Sequence, residues 1–206
     1  MPDARLPRVG ILISGRGSNM LALVAAMQDG RVPATPVVVI ANVPSAPGLS
    51  TAATLGVATA VVDHTAIKPR EAHERAMIDV LAKHSVDLVC LAGYMRRLSP
   101  LFVGAFRGRI LNVHPGLLPS FPGLDAQKAA LEHGVKVAGC TVHFVDDELD
   151  QGPIVLQATV PVEEDDTVDT LSARILEKEH AIYPQALALL AAGKLEIQGR
   201  RVRSRR

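Results

Sequence analysis

The sequence predicts an α/β protein with an open, mostly parallel sheet, helices on both faces, and an antiparallel hairpin toward its C-terminal part. Three observations carry this. Short runs such as Val9–Ser14, Pro36–Ala41 and Leu88–Ala92 are apolar throughout, as in strands covered on both faces. Between them lie segments whose apolar residues recur at helical spacing, and this alternation builds parallel sheets with right-handed crossovers. Late in the chain the alternation stops: Val137–Val145 and Ile154–Val160 are joined by a short acidic loop, Asp146–Pro153, suited to an antiparallel turn.

In order, Val9–Ser14 is a strand that breaks into the glycine turn Ser14-Gly15-Arg16-Gly17-Ser18-Asn19. Met20, Leu23, Val24 and Met27 then mark a helix ended by Gly30. Pro36–Ala41 is a strand, Asn42–Pro47 a loop, Gly48–Leu55 a short helix and Ala58–Val62 a third strand. Pro69–His84 is a helix with Met77, Val80, Leu81 and His84 on one stripe. Arg70, Glu71, Glu74 and Arg75 are charged residues near its start. Leu88–Ala92 is a strand, Pro100–Phe106 a short helix, Ile110–Val113 a strand and Leu124–Glu132 a helix. After the hairpin, Asp166 or Thr167 can cap a last long helix with Leu171, Ile175 and Ile182 on its buried side. Pro184 should kink or break that helix. Leu195–Ile197 and Arg201–Arg203 have the pattern of a terminal hairpin. The sum is a Rossmann-like single domain over 1–206, with a core at about 8–194 and a hairpin and basic tail over 195–206.

Lys and Arg number 22 against 21 Asp and Glu, a net charge of +1, so no overall field draws the chain to nucleic acid or an anionic membrane. Aromatic residues are 3% of the total, too few for a base-stacking surface. The tail Gly199–Arg206 is basic and reads as a frayed, solvated end rather than a binding arm. Cys90 and Cys140 lie in apolar runs, as buried residues with no CxxC pairing. Met1-Pro2-Asp3-Ala4-Arg5 lacks a signal-peptide core and no run is long enough to span a bilayer, so a cytoplasmic protein is expected.

The glycine turn lacks the Lys-Ser/Thr ending of a triphosphate loop, and Met20 occupies the third glycine position of a dinucleotide fingerprint. Two readings remain. The backbone N–H groups of Gly17, Ser18 and Asn19 can hold a phosphate monoester at a helix N-terminus. Alternatively, this is a tight strand–helix turn with Ser18 as cap.

Asn112 and His114 sit two apart at the end of a buried strand and so share a face, just before the Pro/Gly-punctuated stretch Pro115–Gly123. None of the seven histidines forms a metal-ligand spacing, and His143 reads as a packed or edge histidine. Asn112, His114 and Asp150 together suggest chemistry. An amide can stabilise an oxyanion, an imidazole can move protons near neutral pH, and a carboxylate can orient and stabilise the imidazolium. No Ser or Cys nucleophile adjoins them. The set fits direct acyl transfer to an amine.

Several stretches also carry a family resemblance: Ile13–Asn19, Leu91-Ala92-Gly93-Tyr94-Met95-Arg96, Leu98-Ser99-Pro100, Leu111-Asn112-Val113-His114-Pro115, Leu117-Leu118-Pro119, Asp147-Glu148-Leu149-Asp150-Gln151-Gly152-Pro153, and Glu179-His180-Ala181-Ile182-Tyr183-Pro184. From Val9 to about Gly193 the chain resembles the phosphoribosylglycinamide formyltransferases of the formyltetrahydrofolate-using superfamily. The resemblance implies transfer of formyl from 10-formyltetrahydrofolate, a consumed co-substrate, to the amine of glycinamide ribonucleotide in purine biosynthesis, with no metal. It implies Asn112, His114 and Asp150 as catalytic residues, and Gly17, Ser18 and Asn19 at the substrate phosphate. Glu179 would meet the glycinamide end, and Arg70, Met95, Arg96, Arg97, Leu98 and Asn112 the folate. Arg97, Gly116 and Asp125 depart from the family pattern, standing where an apolar residue, Ser and His are frequent.

The expected partners are these small molecules, with no nucleic acid or membrane, in a monomer or homodimer. Methionyl-tRNA formyltransferase carries an additional C-terminal domain and formyltetrahydrofolate deformylase an N-terminal one, so length disfavours both. A deformylase-like hydrolase and a non-catalytic phosphate-binding module remain as alternatives.

Overall fold

The computed structural model describes residues 5–205; readings that fall on Met1–Ala4 and Arg206 lie outside the described residues. One nine-stranded sheet organises the chain, in the order β3-β2-β1-β4-β5-β6-β7-β9-β8. Its strands are β1 (Arg8–Ile13), β2 (Thr35–Ala41), β3 (Ala58–Val61), β4 (Leu88–Leu91), β5 (Ile110–His114), β6 (Val137–Phe144), β7 (Ile154–Pro161), β8 (Leu195–Gln198) and β9 (Arg201–Ser204). β1 to β5 pair in parallel, whereas β6 is antiparallel to both β5 and β7. The expected mixed sheet is therefore present, and its antiparallel part begins one strand earlier than the hairpin alone requires.

The helices are α1 (Ser18–Gln28), α2 (Gly48–Thr54), α3 (Arg70–Lys83), α4 (Pro100–Ala105), α5 (Ala126–Glu132) and α6 (Val168–Ala191). Strand alternation sorts side chains to two apolar layers. Ile11 and Ile13 join Met20, Leu23, Ile175 and Leu187 on the α1/α6 face, while Leu12 joins Met77, Leu81 and Phe102 on the α3/α4 face. Cys90 and Cys140 are buried thiols, both pushed up to about 12 by desolvation.

Four expectations need correction. Strands apolar on both faces would include the third, yet β3 is an edge strand with Ala58, Thr59 and Val61 exposed, because no strand of the described residues pairs beyond it. Ser18 does not cap α1. Gly17 takes that position at φ 73°, in the left-handed region that glycine enters freely, with no side-chain cap bond. Pro184 does not break α6, which runs from Val168 to Ala191. A proline inside a helix costs about 3 kcal/mol. Ile182, Tyr183, Ala186 and Leu187 flank it and are buried, and each large apolar side chain contributes about 1.5–3 kcal/mol. The basic tail is not frayed up to Ser204: β9 pairs with β8, and Arg201 pairs with Ile154 of β7. Leu195 and Val202 pack against the core, which ties the hairpin down. Of the two proposed caps, Thr167 holds α6, exchanging bonds with Thr170 in a capping box.

Among the described residues, no helix is long and apolar enough to cross a membrane.

Candidate active site

β1 and β4 lie side by side although β2 and β3 intervene in the chain, so strand order reverses there. In open α/β sheets, ligands bind at the carboxyl ends of strands beside such a switch point. The glycine turn leaves the end of β1, the loop Gly93–Ser99 leaves β4, and Asn112 and His114 end β5.

A cavity of about 480 Å³ opens at this edge. Met95, Arg96, Arg97, Leu98, Asn112, His114 and Asp150 all line it. Leu91, Tyr94, Val113, Leu124 and Val145 give the rest of the wall its apolar part, beside the polar His143, Asp146 and Glu148. Asp125, a departure noted in the sequence, also faces it.

Asp150 sits between two histidines. Its Oδ2 is 3.5 Å from His114 Nδ1 and accepts from Gly123 N–H at 2.8 Å, and its Oδ1 is 3.7 Å from His143 Nε2. Asp150 has φ 53°, a left-handed conformation that Asp tolerates better than most residues. His114 is 3% exposed, and its Nε2–H donates to Phe121 O at 2.8 Å. In the cationic form both ring N–H groups therefore face an acceptor.

His143 is packed, as the sequence suggests, but its partner was not foreseen. β5 and β6 pair with Asn112 opposite His143, which brings the two side chains together. His143 Nδ1–H donates to Phe144 O at 2.8 Å, leaving Nε2 to accept from Asn112 Nδ2 at 3.2 Å. Burial lowers its pKa, against partial opposition from the Phe144 bond and Asp150. At neutral pH it is a neutral acceptor that orients the Asn112 amide.

The glycine turn and Glu179 do not line this cavity. They meet each other: Asn19 Nδ2 donates to Glu179 Oε2 at 2.6 Å, and both side chains are buried. Burial raises the Glu179 pKa, and the Asn19 bond lowers it in part. Asn19 thus spends its side chain on Glu179, which leaves its backbone N–H at the helix start. Gly48 holds the turn from outside, its N–H donating to Gly15 O at 3.1 Å. Ser14 joins turn and cavity wall: its Oγ accepts from Met95 N–H at 2.8 Å and donates to Asn42 Oδ1 at 2.6 Å. Arg70 also lies outside the cavity. It lines a shallower neighbouring depression with His64, Lys68 and Arg96, and Arg96 borders both.

The loop after His114 is sewn down despite its composition. Thr141 Oγ1 donates to Gly116 O at 2.7 Å and accepts from Leu118 N–H at 3.0 Å, while Gln157 Nε2 donates to Leu118 O at 2.9 Å. Among the described residues, no group of three or more His, Cys, Asp or Glu is placed to hold a metal ion.

Asn112, His114 and Asp150 thus meet at the end of β5, in a cavity beside the glycine turn. Residues 7–187 match the formyl transferase family. The chain is 44% identical over 187 residues to the phosphoribosylglycinamide formyltransferase of Escherichia coli (strain K12), covering 91% of this chain and 88% of that one. It superposes on the crystal structure of glycinamide ribonucleotide transformylase 1 from Symbiobacterium toebii with a TM-score of 0.96 and 52% identity, over 98% of this chain and 95% of the other. The trifunctional purine biosynthetic protein adenosine-3 of Homo sapiens is 47% identical over 195 residues. That match takes in 95% of this chain but 19% of the human protein, so the chain spans about a fifth of its length. The chain belongs to the phosphoribosylglycinamide formyltransferase family within the formyl transferases.

Proposed function

We propose that this chain works as a single formyltransferase domain, moving formyl from 10-formyltetrahydrofolate to the primary amine of glycinamide ribonucleotide. The observation that carries this is Asn112, His114 and Asp150 meeting in one cavity large and apolar enough for a pterin. Main-chain groups of Met95–Leu98 and the apolar side chain of Leu98 would hold the pterin. The cationic depression at Arg70, Lys68 and Arg96 suits the anionic glutamate end of the donor. The ribonucleotide phosphate would take the N–H groups of Gly17, Ser18 and Asn19, with Glu179 near the glycinamide end.

In this reading the amine attacks the formyl carbon and a tetrahedral oxyanion forms. Asn112 Nδ2 has two N–H groups. One is committed to His143 and the other is available to the oxyanion. His114, as imidazolium, supports that charge and passes a proton to the departing folate nitrogen; the proton shed by the attacking amine restores the imidazolium, which Asp150 stabilises. For the transfer, His114 exchanges its bond to Phe121 O or its contact with Asp150 for the leaving nitrogen.

The test is release of tetrahydrofolate from 10-formyltetrahydrofolate with glycinamide ribonucleotide, with charged initiator tRNA, or with water alone. Release is expected only with the ribonucleotide. Equal release in water would make the chain a hydrolase, and binding without release a non-catalytic module; either refutes the proposal.

A further inference from the structure

We infer that Glu74 is a positioning residue for the formyl donor, acting through both walls that would hold it. This rests on the folate reading of the cavity above. Glu74 was one of several charged residues at the start of a helix, yet its side chain is 2% exposed. A buried carboxylate requires donors, and this one has three. Oε1 accepts from the backbone N–H of Ser99 at 2.8 Å and also from Arg70 Nε at 3.2 Å. Oε2 accepts from the Ser99 hydroxyl.

These partners belong to different parts of the candidate site. Ser99 directly follows Leu98, ends the wall Tyr94–Leu98 and caps α4. Arg70 stands in the cationic depression next door, and its side chain is 38% exposed, so it is free to meet a ligand. A single buried oxygen therefore fixes both the end of the pterin-side wall and the base of the cationic side. α3, a packed helix with Met77 and Leu81 in the core, supplies the rigid support. No member of the Asn112–His114–Asp150 set touches Glu74. Its loss should thus weaken donor binding without removing the chemical groups.

The test compares Glu74→Gln and Glu74→Ala with the wild type. Gln keeps the shape and an acceptor at Oε1 but loses the charge assistance, which makes such bonds about twice as strong. The expected result is a donor KM raised about three- to tenfold in Glu74→Gln and tenfold or more in Glu74→Ala. The kcat and the KM for the ribonucleotide should stay within about twofold, the pattern of lost binding rather than lost transition-state stabilisation. Arg70→Ala should add less to Glu74→Ala than to the wild type, because the two share one bond. Glu74→Gln carries the test if the alanine variant does not fold. A donor KM unchanged in folded Glu74→Gln, or a fall in kcat at constant donor KM, would overturn the inference. Calorimetric titration with tetrahydrofolate separates the two readings. If the wild type transfers no formyl, the functional reading falls. Weaker tetrahydrofolate binding by Glu74→Gln then still supports the role of Glu74, and equal binding still removes it.

Discussion

Replacing His143 with leucine tests a residue whose role is to hold another, Asn112. The substitution keeps bulk in a buried strand position and removes the acceptor for Asn112 Nδ2, together with the Nδ1–H bond to Phe144 O and the 3.7 Å contact with Asp150. In the native protein, flipping the Asn112 amide would set its oxygen against the His143 lone pair. One buried hydrogen bond is worth about 1–1.5 kcal/mol, so the productive orientation is favoured about five- to tenfold. With leucine, neither orientation is preferred. Halving the productive population costs about twofold in kcat, a floor set by populations alone. The ceiling is complete loss of the oxyanion donor, about 10²–10³. Freed of its tether, the amide also wanders, and kcat is expected to fall about tenfold, between these limits. The assay is saturating turnover, read as tetrahydrofolate release, for His143→Leu, Asn112→Ala and the double variant. The histidine acts only through the asparagine, so the double variant should be no slower than Asn112→Ala. An unchanged kcat in His143→Leu, or losses that multiply in the double variant, would refute the reasoning.

Three further outcomes follow. His114→Ala and Asp150→Asn should fold normally by circular dichroism yet lose about 10²–10³ in turnover, and near-native rates in either would remove them from the catalytic set. Gly48→Ala would place a Cβ 2.6 Å from Ile13 Cδ1, 3.0 Å from Gly15 O and 3.2 Å from Arg16 O. The isoleucine tip can turn away but the two carbonyls are the glycine turn itself. The KM for the ribonucleotide should therefore rise with the donor KM unchanged, alongside a stability loss of about 1–3 kcal/mol by thermal unfolding. Asp166 is held below the usual carboxylate range, chiefly by its hydrogen bonds with Arg174, assisted by the Glu163 backbone. A depressed folded-state pKa gives stability that is present above the unfolded value and lost as pH falls through the folded one. Asp166→Asn should accordingly lower Tm at pH 7, with the gap narrowing steadily as pH falls below about 4; a gap of the same size at pH 2 as at pH 7 would contradict this.

How much of this was legible in the sequence depended on whether the signal was local. β1, β2, β4 and β5 announced themselves as apolar runs, and α1 by its spacing, because burial on both faces and helical period act over a few residues. Asn112 and His114 could be placed on one face for the same reason. His143 could not be read, because its meaning depends on register: only the antiparallel pairing of β5 with β6 sets it opposite Asn112. Glu74 was hidden in the same way. A glutamate in the first turns of a charged helix looks solvated until α4 and Ser99 arrive from 25 residues away. Pro184 was misjudged because a local rule, the missing N–H, was applied without the burial of Tyr183, whose hydroxyl donates at 3.0 Å to Leu91 O and 2.9 Å to Leu111 O. Those carbonyls sit on adjacent strands, Leu91 paired with Asn112 and Leu111 directly before it, so the long helix is anchored where the site is built.

The seat of His114 shows how Gly116 can shape the proposed catalytic trio without belonging to it. A Cβ on Gly116 would lie 2.9 Å from His114 Nε2, 3.1 Å from its Cδ2 and 3.3 Å from Ala126 Cβ. Glycine at this position is therefore what lets the ring lie down against the loop and give Nε2–H to Phe121 O. Thr141 and Gln157 hold that stretch of loop from below, so the contact belongs to a fixed frame. The consequence is a ring with one nitrogen on a carbonyl and the other facing Asp150. For the imidazolium, the bond to Phe121 O joins a cation to a neutral carbonyl, whereas Asp150 sets an opposite charge against it, so the Phe121 bond is the less costly one to give up. In this chain the nitrogen that turns toward the substrate should be Nε2, with Asp150 retained on Nδ1 to steady the cation while the formyl group is transferred.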